Sequence, residues 1–77
     1  MPARAFILIE SQVGRVQQAA AALRSLEGIK SADVVTGPFD IIALVEAPDM
    51  AAMAELVTGR VQGIQGVMRT VTCVAAG

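Results

Sequence analysis

The stretch Val34-Val35-Thr36-Gly37-Pro38-Phe39-Asp40-Ile41-Ile42-Ala43-Leu44-Val45 decides the fold. Two strongly apolar runs meet at a tight corner, residues 36–40. Gly37 can take backbone angles closed to other residues, and Pro38 fixes its own φ and donates no N–H. The residue before a proline is pushed away from helix, so this corner predicts a hairpin between two strands. Asp40 then stands at the mouth of an otherwise apolar strand. Turn chemistry accounts for a carboxylate there, and so does a role facing the ammonium group of a ligand.

The rest of the chain falls into place around this hairpin. Residues 3–10 are apolar on both faces, with Ala5, Ile7 and Ile9 on one and Phe6 and Leu8 on the other; this predicts a strand buried on both sides. Residues 12–26 carry Val13, Val16, Ala20 and Leu23 at helical spacing, and Gly28 ends that helix. Residues 29–36 and 39–47 are the two strands of the hairpin. Pro48-Asp49 opens a second helix with Met50, Met53, Val57 and Val61 as its apolar stripe, closed by Gly63 or Gly66. Residues 67–75 complete the pattern as a fourth strand.

The order is therefore βαββαβ, and the two halves echo each other. Leu26-Glu27-Gly28-Ile29-Lys30 resembles Ile64-Gln65-Gly66-Val67-Met68. This duplication predicts an α+β, ferredoxin-like sandwich. Right-handed crossovers give an antiparallel sheet of order 4-1-3-2 with both helices on one face. The other face is then left for a second subunit's sheet.

Length and composition agree. Seventy-seven residues make one domain, 1–77. A chain this short buries only about 60–65% of its unfolded surface. Yet 55% of the residues are apolar and the mean hydropathy is +0.62. Oligomerisation resolves both conditions. The apolar runs are too short to span a bilayer, and the N-terminus lacks a signal-peptide pattern, so a cytoplasmic protein is expected. The net charge is −1 with six scattered basic residues, and the aromatics are Phe6 and Phe39 alone; nucleic-acid binding is not expected.

Catalytic chemistry finds little support. The chain has no histidine and one cysteine, so paired-thiolate metal capture and the commonest general base are absent. No phosphate-loop pattern occurs. Cys73 alternates with Val71 and Ala75 and reads as a small core or interface residue. Met50, Met53 and Met68 read as core filler. Thr70 and Thr72, two apart in a strand, share one face, with Arg69 and Val71 on the other. Their hydroxyls can donate and accept hydrogen bonds to a small polar ligand, although β-propensity alone also accounts for them.

The run Val35-Thr36-Gly37-Pro38-Phe39-Asp40-Ile41-Ile42, followed by a helix and then Gly66-Val67-Met68-Arg69-Thr70-Val71-Thr72-Cys73, resembles the effector-binding domain of the leucine-responsive regulatory protein/AsnC family, also called the RAM domain. The likeness covers nearly all of residues 3–75. It implies a βαββαβ sandwich that dimerises through its sheets, in the manner of a dimeric α/β barrel. It further implies rings of dimers, octameric or decameric, with amino acids bound between dimers and no cofactor or metal. By resemblance the ligand contacts map to Gly37, Pro38, Phe39 and Asp40 and to Thr70 and Thr72. Tyrosine is frequent in the family where this chain has Phe39, so a contact through that hydroxyl is lost.

Family regulators carry an N-terminal helix-turn-helix domain, whereas this chain starts at the first strand. The expectation is a stand-alone effector-binding and oligomerisation module, sensing amino acids itself or joining a full-length regulator in a mixed assembly. In strand order 4-1-3-2 the Gly37 corner and Thr70 lie at opposite sheet edges, three strand spacings or roughly 14 Å apart, but toward the same end. A neighbouring subunit has to bring them together. Asp40→Ala is expected to weaken amino-acid binding without unfolding. Rival readings keep the fold and change the function: an ACT domain, a ring-forming module without effector, or a small dimeric α/β-barrel enzyme. The last needs a polar pocket, usually with His, Trp or Tyr, none of which occurs.

Overall fold

The computed structural model describes residues 2–76; the first and last residues of the expected domain lie outside the described residues. The element order is β1 (Ala3–Ser11), α1 (Val16–Arg24), β2 (Ile29–Val34), β3 (Ile41–Ala47), α2 (Met50–Glu55), a π-helical segment (Leu56–Val61) and β4 (Val67–Val74). The four strands form one antiparallel sheet of order β2-β3-β1-β4. This is the ferredoxin-like arrangement expected from the sequence.

The core lies between one sheet face and the helices. Ala5, Ile7 and Ile9 of β1 and Ile41, Ala43 and Val45 of β3 are fully buried, against Ala19, Ala20 and Leu23 of α1 and Met53 and Val61 of the second helical stretch. Period-two alternation puts these strand residues on a single face. Their neighbours Phe6, Leu8, Ile42, Leu44, Val71 and Cys73 line the other face, which no element among the described residues covers. Phe6 stays 44% exposed and Val71 37%.

Gly28 and Gly66, the matching glycines of the two halves, both have positive φ, +97° and +99°. A Cβ on Gly28 would lie 3.1 Å from the Glu46 carbonyl oxygen and 3.0 Å from Leu56 Cδ2. The turn after α1 therefore needs glycine for both its backbone angle and its closeness to β3.

Two expectations need correction. The first helix starts at Val16, four residues later than the periodicity suggests, and Val13 is fully exposed. Residues 12–15 form a turn instead: the Gln12 N–H donates to Gly66 O (2.8 Å) and the Arg15 N–H to Gln12 O (3.0 Å). Of the methionines read as core filler, Met53 is buried, but Met68 in the edge strand β4 is 62% exposed and Met50 is 52% exposed rather than part of the apolar stripe. Met50 opens α2 directly after the N-cap Asp49, whose carboxylate accepts the Ala52 N–H at 2.8 Å. The π-helical segment is a further departure from the expected plain helix. Its wide turn, marked by Gln62 N–H donating to Val57 O (3.1 Å), brings Leu56 and Val61, five apart, into the same core.

Candidate functional site

One end of the sheet collects most of the residues singled out from the sequence. The β2–β3 corner, the end of β1 and the start of β4 meet there. Val34, Ile41, Ile9 and Thr70 form one row across the four strands. Three spacings separate its outer members, roughly 14 Å. The Gly37 turn beside β2 and the threonines of β4 thus share an end but occupy opposite edges, with Phe39 and Asp40 folded back over the end of β1.

The corner is a built structure. Gly37 has φ +149° with open space around it, so only its backbone angle excludes other residues. Pro38 is exposed and Phe39 half-buried. The Val35 N–H donates to Asp40 O, and the Asp40 N–H to Ile9 O, each at 2.9 Å. Asp40 Oδ2 accepts the Ser11 N–H at 2.9 Å. Ser11 is only 8% exposed and sits where β1 slips register against β4. The irregular pairing denies this amide an ordinary ladder partner, and the carboxylate supplies one. Of the two roles open to Asp40 in the sequence, its Oδ2 oxygen thus performs a structural one.

Thr70 and Thr72 share one face, as expected. They pair with the buried Ile9 and Ile7, which places them on the helix side of the sheet at its β4 edge. Thr72 is exposed, and Thr70 Oγ1 accepts a hydrogen bond from Gln62 Nε2 at 3.1 Å. Gln62, Val67, Met68, Arg69 and Thr70 line a cleft of about 320 Å³. A larger trough of about 590 Å³ lies at the opposite end, around Arg4, Glu46, Asp49 and Val74. None of the corner or threonine residues reaches it, so size alone does not make it the functional site.

Arg69 spans the two edges. Its Nε lies 3.4 Å from Glu10 Oε2, and its guanidinium carbon lies 5.6 Å from the centre of the Phe39 ring. Glu10 and Arg69 are directly opposed across β1 and β4, on the uncovered face. The sequence places Arg69 on the face opposite Thr70 and Thr72 and Glu10 at a strand end, but shows neither their pairing nor the contacts of Ser11 and Gln62. Registering β1 on β4 would have exposed the opposed charges; nothing local marks Ser11 or Gln62.

The edges of the sheet differ. On β2 the alternation of paired and outward groups turns the Ala32 carbonyl away from β3. Arg24 Nε and Nη2 donate to it at 3.0 and 2.7 Å, blunting that edge. On β4 the Ala75 N–H donates to Arg4 O (2.8 Å), so Arg69, Val71 and Cys73 make the paired rungs with β1. Thr70 and Thr72 therefore turn their backbone N–H and C=O groups to the free edge. Among the described residues, no group of three or more His, Cys, Asp or Glu side chains could hold a metal ion, and no helix is long and apolar enough to cross a membrane.

The βαββαβ order and the sheet order β2-β3-β1-β4 define a ferredoxin-like domain. The profile of the Lrp/AsnC ligand binding domain matches residues 4–76, and the chain belongs to this family. Among solved structures, TTHA0845 from Thermus thermophilus is 35% identical, with a TM-score of 0.92 over 97% of this chain and 94% of that one. AsnC of E. coli is 24% identical, with a TM-score of 0.91 over 97% of this chain and 51% of its own. The transcriptional regulator NMB0573 of Neisseria meningitidis, solved in complex with L-Met, is 21% identical, with a TM-score of 0.87 over 97% of this chain and 50% of its own. The last two show the shared fold, and this chain spans about half their length. No curated protein matches the sequence.

Proposed function

We propose that this chain is an amino-acid effector-binding and oligomerisation module. The observation that carries the reading is the split arrangement of residues at one end of the sheet. Gly37 and Pro38 stand beside the β2 edge and Thr70 and Thr72 on the β4 edge, roughly 14 Å apart, while Phe39 and Asp40 fold back over the end of β1. A free amino acid is too small to touch both the Gly37 turn and the threonines within one copy, so a site that uses both is assembled from two.

The uncovered face supplies the first assembly step. Phe6, Leu8, Ile42, Leu44 and Val71 form an apolar centre. Glu10 with Arg69 at one end and Arg4 opposite Glu46 at the other frame it with charges of both signs. An apolar core with a charged rim suits a protein interface, and both signs on one face suit a two-fold pairing of identical copies. Dimers formed this way leave the corner and the threonine edge at the periphery, where a second dimer meets them to close a ring of eight or ten. The L-methionine held by the meningococcal relative supports an amino acid as the effector.

Binding at a seam between dimers stabilises the assembled state by mass action, and assembly size reports effector concentration. The reading is non-catalytic and places the protein in the cytoplasm, as a sensor on its own or in a mixed assembly with a full-length regulator. Titration calorimetry with each of the twenty amino acids tests it. The expected result is binding of one or a few, at no more than one per protomer, weakened by Thr72→Val. Heat-silent titrations for all twenty would leave a purely structural ring as the reading.

A further inference from the structure

We infer that Gln62 is a positioning residue: it fixes the Thr70 hydroxyl as a hydrogen-bond donor toward the carboxylate of the amino-acid effector. The inference rests on the reading of Thr70 as a ligand contact. It begins with the direction of one hydrogen bond. Gln62 Nε2 can only donate, so at 3.1 Å it occupies a lone pair of Thr70 Oγ1. The hydroxyl proton is thereby left to point elsewhere. A threonine without this partner is free to rotate and offer either polarity.

The backbone places Gln62 for this task. It comes directly after the π-helical segment, and its N–H closes the wide turn on Val57 O. Val61, fully buried, pins the preceding residue into the core. One extra residue in the turn rotates every later position by about 100° about the helix axis. An ordinary α-turn would therefore aim position 62 away from β4. Wide turns of this kind recur at functional sites.

The surroundings select the ligand group. The cleft beside the Gln62–Thr70 bond is lined by Gln62, Val67, Met68, Arg69 and Thr70, none of them acidic. The Thr70 backbone N–H faces the free sheet edge; the Arg69 guanidinium lies on the opposite sheet face, paired with Glu10. The aligned Thr70 hydroxyl and the Thr70 N–H are both donors, while the carboxylate of Asp40 is engaged by the Ser11 N–H of β1. A carboxylate accepts only, and it matches an aligned hydroxyl donor.

Reversing the polarity tests this. Gln62→Glu is nearly isosteric but accepts where glutamine donates, so it draws the Thr70 proton toward itself. Calorimetry of the full chain with whichever of the twenty amino acids binds wild type should show Gln62→Glu weakening affinity roughly ten- to a hundredfold. Thr70→Val should cause a loss of similar size. In the Thr70→Val background the added Gln62→Glu should change affinity less than about threefold, whereas in Thr70→Ser, which keeps the hydroxyl, it should act as in wild type. A Gln62→Glu loss that persists in Thr70→Val would be a plain charge effect and would overturn the inference. So would a Gln62→Glu protein that binds normally while Thr70→Val is impaired, which leaves the Thr70 contact standing. Normal binding by Thr70→Val, or no binding by wild type, overturns both readings. Unfolding curves of each variant separate these outcomes from loss of fold.

Discussion

Asp40→Ala should destabilise the protein as well as weaken effector binding. The carboxylate oxygen Oδ2 accepts the Ser11 N–H at 2.9 Å, and Ser11 is 8% exposed at a register slip in β1. Removing the acceptor leaves that amide without a partner, next to a Ser11 hydroxyl that is itself buried without one. A hydrogen bond to a charged group is worth about 1.5–3 kcal/mol. Asp40 is half-buried, so water replaces it in part and the lower end applies, about 1.5–2 kcal/mol. For a domain of this size each kcal/mol moves Tm by about 4–8 °C, giving a fall of roughly 6–16 °C. Asp40→Asn keeps an acceptor oxygen and should lose less than half as much. The assay is thermal unfolding at one fixed protomer concentration, since assembly makes Tm concentration-dependent. Exchange of the Ser11 amide, followed alongside, should accelerate in Asp40→Ala. A Tm within about 2 °C of wild type, with Ser11 protection unchanged, would refute the assigned role.

Other perturbations have equally definite outcomes. Leu8→Asp places a charge in the centre of the uncovered apolar face and should leave a folded monomer, read by sedimentation velocity; an unchanged oligomer would exclude that face as the dimer contact. Arg24→Ala removes both donors to the Ala32 carbonyl and should cost about 1–2 kcal/mol in urea unfolding, with more self-association through the unprotected β2 edge. Gly28→Ala forces a Cβ to 3.1 Å from the Glu46 carbonyl at φ +97° and should cost roughly 1–3 kcal/mol by the same measurement. A cost near zero in Gly28→Ala would mean that the turn can relax away from β3.

The order of elements was legible because short apolar runs of strand length alternate with helical spacing and each crossover ends in a glycine of positive φ. Gly28 and Gly66 mark equivalent positions in the two halves, and the β2–β3 corner carries Gly37-Pro38. Local spacing misled where tertiary contacts set the boundary. Val13 fits a helical stripe by count, yet the turn at Gly14 and the Gln12–Gly66 hydrogen bond start α1 only at Val16. The π-helical segment was hidden because Met53, Val57 and Val61 also satisfy the ordinary four-residue spacing. Only the burial of Leu56 together with Val61 reveals the wider turn.

The candidate site was half legible. Corner and threonine strand stand out by composition, and strand order alone puts the Gly37 turn and Thr70 on opposite edges. What each side chain touches was not readable. Asp40 meets Ser11 across 29 positions of sequence, and Phe39 meets Arg69 only because the corner folds back over the end of β1. Those partners depend on register, which a one-residue slip would change entirely.

Native mass spectrometry of the purified protein, with and without the twenty amino acids, tests the central claim most directly. A ring of dimers that retains one amino acid per subunit, or changes size when one is added, is the predicted result. An isolated dimer that binds none of the twenty would contradict it, because the seam that joins the Gly37–Asp40 corner to Thr70 and Thr72 would not exist.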